Sequence, residues 1–106
     1  MKTLIVFIFF TFNSLAQTEK IGVDLLNNGQ KGINTLSLSK INLITIEGTG
    51  CEEFNLTGSG NLHLTKGKNG YIVKVDKGTA SGVIWVYGTQ KGTKIALGAF
   101  SYKIIP

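Results

Sequence analysis

The sequence predicts an all-β fold built from two layers of short strands, and three observations carry that prediction. Short alternating or β-branched apolar runs follow one another, with turn signals about every 8–12 residues. No stretch sustains helical periodicity. Fourteen Gly and a single Pro suit tight connections. The simplest architecture is an immunoglobulin-like antiparallel β-sandwich of seven to eight short strands, with a closed barrel as the alternative.

The elements follow in order. Ile21–Leu26 alternates weakly and forms a first strand, closed by the turn Asn27–Gly32 with its Asn28-Gly29 signal. Ile33–Leu38 is a second strand. Ile41–Glu47 is stronger, with Ile44 and Ile46 on one face and Ile41 and Leu43 on the other, and Gly48-Thr-Gly50 closes it. Glu53–Thr57 points Phe54 and Leu56 inward, and Asn61–Thr65 carries Leu62 and Leu64. The Lys66–Gly70 connection, ending in Asn-Gly, leads into Tyr71–Val75, where Tyr71, Val73 and Val75 share a face. In Val83–Tyr87, Val83, Trp85 and Tyr87 alternate with Ile84 and Val86, so both faces are apolar. That pattern suits a central strand covered on both sides, with the chain's only Trp in the core. A turn at Gly88–Gly92 precedes Thr93–Ile105, which is long for one strand. Gly98 marks a bulge or bend within it, and Phe100, Tyr102 and Ile104 share a face.

Composition bounds the setting. The opening MKTLIVFIFFTFNSLAQ has a positive start at Lys2, an apolar stretch from Leu4 to Phe12, and small residues Ser14 and Ala16 before the expected cleavage point. The apolar run is well short of the roughly 20 residues that span a bilayer, so residues 1–16 are expected to be a cleaved signal peptide. Residues 17–106 then form a single exported domain, periplasmic or extracellular, with no stable membrane span. The net charge is +5 and no Arg is present, which removes the bidentate phosphate and guanine contacts of nucleic-acid sites. Lysines in turns keep strand edges soluble. Cys51 is the only cysteine, so no internal disulfide forms and packing must hold the domain.

The residues that could carry chemistry are few. His63 is the only histidine, and a Cys51–His63 dyad has no spacing to support it and no Asp or Asn placed to orient the imidazole. One His and one Cys cannot complete a tetrahedral metal site. Adjacent Glu52 and Glu53 point to opposite faces of a strand, which argues against a paired-carboxylate mechanism. The Gly48-Thr-Gly50 and Gly58-Ser-Gly60 turns do not continue as phosphate loops, and no Ser sits in a GxSxG context. Asn55-Leu-Thr57 fits a glycosylation sequon. No catalytic, cofactor-binding or metal residue is assigned. Tyr71, Trp85, Tyr87 and Tyr102 are the aromatics for which a binding role is conceivable, core packing being the alternative for each. An uncovered sheet edge would be a second route to partners, by strand addition.

From Asn42 to Pro106 the chain resembles the C-terminal periplasmic domains of the gliding-motility and type IX secretion protein GldM of Bacteroidetes. The resemblance lies in Asn42-Leu-Ile-Thr-Ile46 before a glycine turn, and in Gly60-Asn-Leu62 followed by Asn69-Gly-Tyr-Ile-Val73. It extends to Lys77-Gly78 before Val83-Ile-Trp-Val86, and to Leu97-Gly98 followed by Tyr102-Lys-Ile-Ile-Pro106. It departs in its single domain and cleavable leader, where those proteins have an inner-membrane helix and tandem domains. The resemblance implies a β-sandwich module that mediates protein contacts in the periplasm. Two functions therefore stand at this point: a non-enzymatic domain that binds protein partners in the cell envelope, and a lectin-like module that binds glycan. Buried Trp85 and Tyr87 would favour the first, an exposed coplanar pair the second.

Overall fold

A computed structural model describes residues 20–106, so the expected leader lies outside the described residues. The fold is all-β. Eight strands run as β1 (Gly22–Asn27), β2 (Thr35–Ser37), β3 (Asn42–Thr49), β4 (Glu53–Gly58), β5 (Leu62–Lys66), β6 (Tyr71–Val75), β7 (Ser81–Gln90) and β8 (Thr93–Ile105). They form two four-stranded sheets, ordered β1-β3-β6-β5 and β2-β8-β7-β4. Every pairing is antiparallel except that of β2 with β8, which is parallel.

One apolar core lies between the sheets in a sandwich-like arrangement. The first sheet supplies Leu25, Ile44, Leu62, Tyr71 and Val73, and the second Leu36, Leu56, Ile84, Val86 and Tyr102. These are the inward phases of period-2 strands, so the alternation expected for Tyr71–Val75 and for Phe100, Tyr102 and Ile104 holds. Ile33–Leu38 forms a strand only over Thr35–Ser37, because the turn at Gly32 (φ +75°) delays its approach to β8. Opposite Val86 and Tyr87, β8 pairs through Gly98 and Ala96, which leaves Leu97 as one extra residue. That bulge beside Gly98 shifts the inward phase along the strand.

The expectation for Trp85 is corrected. Ile84 and Val86 are fully buried, whereas Trp85 is 39% exposed on the outer face of its sheet. The reason is layer number: among the described residues nothing covers that outer face, so only one phase of β7 reaches the core. The inward phase is Gly82, Ile84, Val86 and Gly88. A Cβ at Gly82 would stand 2.7 Å from Leu62 Cδ1, and one at Gly88 would stand 2.6 Å from Cys51 Sγ. The two glycines admit side chains from elsewhere into the core, and the aromatic bulk of β7 is left outside.

Two buried asparagines tie the sheets together. Asn42 donates through Nδ2 to the carbonyls of Ser37 (2.8 Å) and Val73 (3.1 Å), and its Oδ1 accepts the Ser37 N–H at 2.8 Å. Asn27 donates to the Thr35 carbonyl at 2.9 Å, while its buried Oδ1 has no partner among the described residues. Among the described residues no helix is long and apolar enough to cross a membrane.

Candidate interaction surfaces

The four aromatics singled out from the sequence separate by face. Tyr71 is buried, and its hydroxyl accepts the Leu56 N–H and donates to Asn55 Oδ1, both at 3.3 Å. This joins β6 of one sheet to the edge strand β4 of the other. Tyr102 is 3% exposed. Burial, with a smaller push from the Asp24 carboxylate, raises its phenol from 10 to about 12. Both residues are structural. Trp85 and the half-buried Tyr87 instead share the outer face of the second sheet.

The register defines their surroundings. Trp85 stands between Thr57 on β4 and Ala99 on β8, and Tyr87 between Asn55 and Ala96. Small neighbours leave the indole accessible. The Tyr87 ring carries Lys94 Nζ 4.7 Å from its centroid, a cation–π contact that covers it. The aromatic pair is thus half open: an exposed indole beside a capped phenol.

A second surface lies at the end of the sandwich where β8 finishes. Of the large apolar side chains that are exposed, Ile33, Leu38, Ile41 and Ile105 all gather there, with Ile41 at 70%. Ile33, Ile41 and Ile105 border a hollow of about 320 Å³ with Asn27 and Lys40. An adjoining hollow of about 280 Å³ shares Ile41 and Lys40 and adds Leu38 and Ile72. The chain reaches this end through the β1–β2 and β2–β3 connections. Asn28 (φ 51°) fixes the approach, accepting the Leu43 N–H and donating to the Ile41 carbonyl. Periodicity does not reveal this cluster, because its members sit in connections and at a strand end.

The chemistry-bearing residues do not converge. Cys51 is half-buried beside Gly88. His63 is on the outer face of the other sheet, so the Cys51–His63 dyad is not formed. One expectation changes: an acid does orient the imidazole, with Asp76 Oδ1 2.9 Å from His63 Nε2. The pair is more than half exposed on both sides, a surface contact across the β5–β6 register. Lys31 and Glu47 form another at 2.7 Å, and the hydrogen bond to Glu47 raises the lysine pKa. Glu52 accepts the Lys91 N–H at the β7–β8 turn. Asn55 of the sequon is half-buried, with Oδ1 accepting from Tyr71 and Lys66. Among the described residues no group of three or more His, Cys, Asp or Glu could hold a metal ion.

No protein-family model matches the chain, and comparison with curated proteins and with solved structures finds no match either.

Proposed function

We propose that the chain is a small exported, non-enzymatic β-sandwich domain that works by protein–protein contact in the cell envelope. The observation that carries this reading is the gathering of Ile33, Leu38, Ile41 and Ile105 around two shallow hollows at one end. Exposed aliphatic side chains scattered singly need no explanation, but a cluster beside a polar rim has the make-up of a protein contact. Lys40 and the backbone groups of the connections supply such a rim.

An immunoglobulin-like plan fits the strand orders. In that plan one sheet carries the first, second, fifth and fourth main strands and the other the third, sixth and seventh. The orders β1-β3-β6-β5 and β8-β7-β4 correspond, with β2 as a short strand pairing parallel to the last. The resemblance of residues 42–106 to GldM domains directs the search for partners to secretion and gliding machinery. Export through the N-terminal leader is part of the same proposal.

The test is crosslinking in intact cells followed by recovery of the tagged protein from the envelope. Recovery of a defined protein partner is expected, and its loss on Ile41→Asp. Recovery of glycan alone, or of nothing but the chain itself, contradicts the reading.

One observation favours glycan binding as a second reading: the exposed indole of Trp85 between Thr57 and Ala99. A sugar ring stacked there would change Trp85 fluorescence, and an unchanged spectrum across a panel of soluble glycans removes this reading.

A further inference from the structure

We infer that the open edge of β8 at Ala99 and Ser101 is a strand-addition site for an extended, acidic-to-neutral segment of a partner protein. The inference rests on the protein-contact reading and specifies its mode.

β8 runs for 13 residues, but β2 pairs with it only over Lys103–Ile105. The backbone bonds fix which way each residue faces. Lys103 N–H donates to Asn34 and the Ile105 carbonyl accepts the Leu38 N–H on the β2 side, whereas Ile104 N–H donates to Ala80. Directions alternate along an antiparallel ladder, so Ser101 and Ala99 present N–H and C=O on the side of Lys103, in line with β2. Among the described residues no strand pairs with them there. The bulge at Leu97 ends the straight stretch.

Two of the other edges have an N–H capped by a side chain, where among the described residues Ala99 and Ser101 have none. On β1 the Leu25 N–H is taken by Asp24 Oδ1 at 2.9 Å, and on β4 the Leu56 N–H is taken by the Tyr71 hydroxyl. Natural sheets protect edges by such devices, and an edge without them is a template for another strand.

The surroundings define the occupant. On the inner side a hollow lies between Asp24, Leu25, Ile33, Phe100, Ser101 and Tyr102; it takes an apolar side chain from an added strand, since an acidic one would meet Asp24. On the outer side Ala99 and Ser101 are small, and Lys103 follows on the same face of the strand. An incoming strand should therefore alternate apolar residues with polar or acidic ones. A second copy is disfavoured by like charge, since each chain carries a net charge of +5.

The test titrates the protein, as recovered from exporting cells, with a synthetic peptide alternating valine with threonine and glutamate. Backbone amide exchange is followed by NMR. The Ala99 and Ser101 amides should exchange freely in the protein alone and slow by about a hundredfold or more with peptide bound, while Lys103 changes little. Ala99→Pro removes an edge-facing N–H without removing a bond to β7, and Ser101→Glu sets a like charge against the peptide. Each should weaken binding by about tenfold with the fold intact. Peptide binding that leaves both amides unprotected, or no binding at about 1 mM peptide, overturns the inference. So does protection in the protein alone, which marks a second copy if it depends on protein concentration and the chain's own N-terminal segment if it does not. Envelope capture separates the two levels. A partner retained by both variants leaves the contact reading standing and removes β8 from it, whereas no partner for the unaltered chain removes the contact reading itself.

Discussion

Asn42 joins three strands through one buried side chain, with its bond to Val73 the most deeply enclosed. Truncating it would leave the Ser37 N–H without its side-chain acceptor and remove two donated bonds, a larger penalty than the bonds themselves are worth. Asn42→Ala is expected to lower stability by about 2–4 kcal/mol, read by urea denaturation. Aspartate would be no substitute, because it cannot donate to the Ser37 and Val73 carbonyls. Tyr102 sets a pH limit. Its phenol is raised to about 12 from 10, so the folded state holds its proton longer than the unfolded chain does. The contribution is complete below pH 10 and is lost as pH rises through about 12. Alkaline unfolding should therefore coincide with late tyrosinate absorbance, and Tyr102→Phe should remove that part of the pH dependence.

At the scale of elements, the two phases of β7 make a direct contrast. Ile84→Ala should cost about 2–5 kcal/mol, the range for a buried aliphatic residue, and Trp85→Ala less than half of that. Thermal or urea denaturation of both variants checks the order. Gly88→Ala would place a methyl 2.6 Å from Cys51 Sγ and 2.9 Å from Leu97 Cδ1. The expected cost is about 1–3 kcal/mol, and Cys51→Ala in the same chain should recover part of it.

The same strands mark how much was legible in the sequence. Apolar runs between turn signals placed the strands, though Ile33–Leu38 shrinks to Thr35–Ser37 and Val83–Tyr87 extends to Ser81–Gln90, and the glycine in Thr93–Ile105 marked the β8 bulge. Alternation shows which residues share a face but not which face is covered, and that is why Trp85 read as core. The real discriminator was Gly82 and Gly88, whose missing side chains mark the phase facing Leu62 and Cys51. The alternation of Ile41–Glu47 did not single out Asn42, since its three partners come from positions 5 and 31 residues away. The His63–Asp76 contact was hidden for a similar reason, spanning 13 residues between β5 and the end of β6.

Across the whole molecule, the two sheets bury one core and leave distinct surfaces outside it: an aliphatic end, an exposed indole on one sheet face, and an open stretch of β8. The aliphatic end was the least legible of these. Its four residues lie apart in sequence, and only the pairing of β2 with the end of β8 brings Leu38 and Ile33 near Ile105. This aliphatic end is the surface proposed to contact a protein. Site-directed photocrosslinking in living cells is the test, with a crosslinking amino acid placed in turn at Ile41, at Ile105 and at the exposed Lys68 in the β5–β6 turn. One protein adduct is expected from positions 41 and 105 and none from 68. Equal adducts from all three positions, or none from 41 and 105, would contradict it.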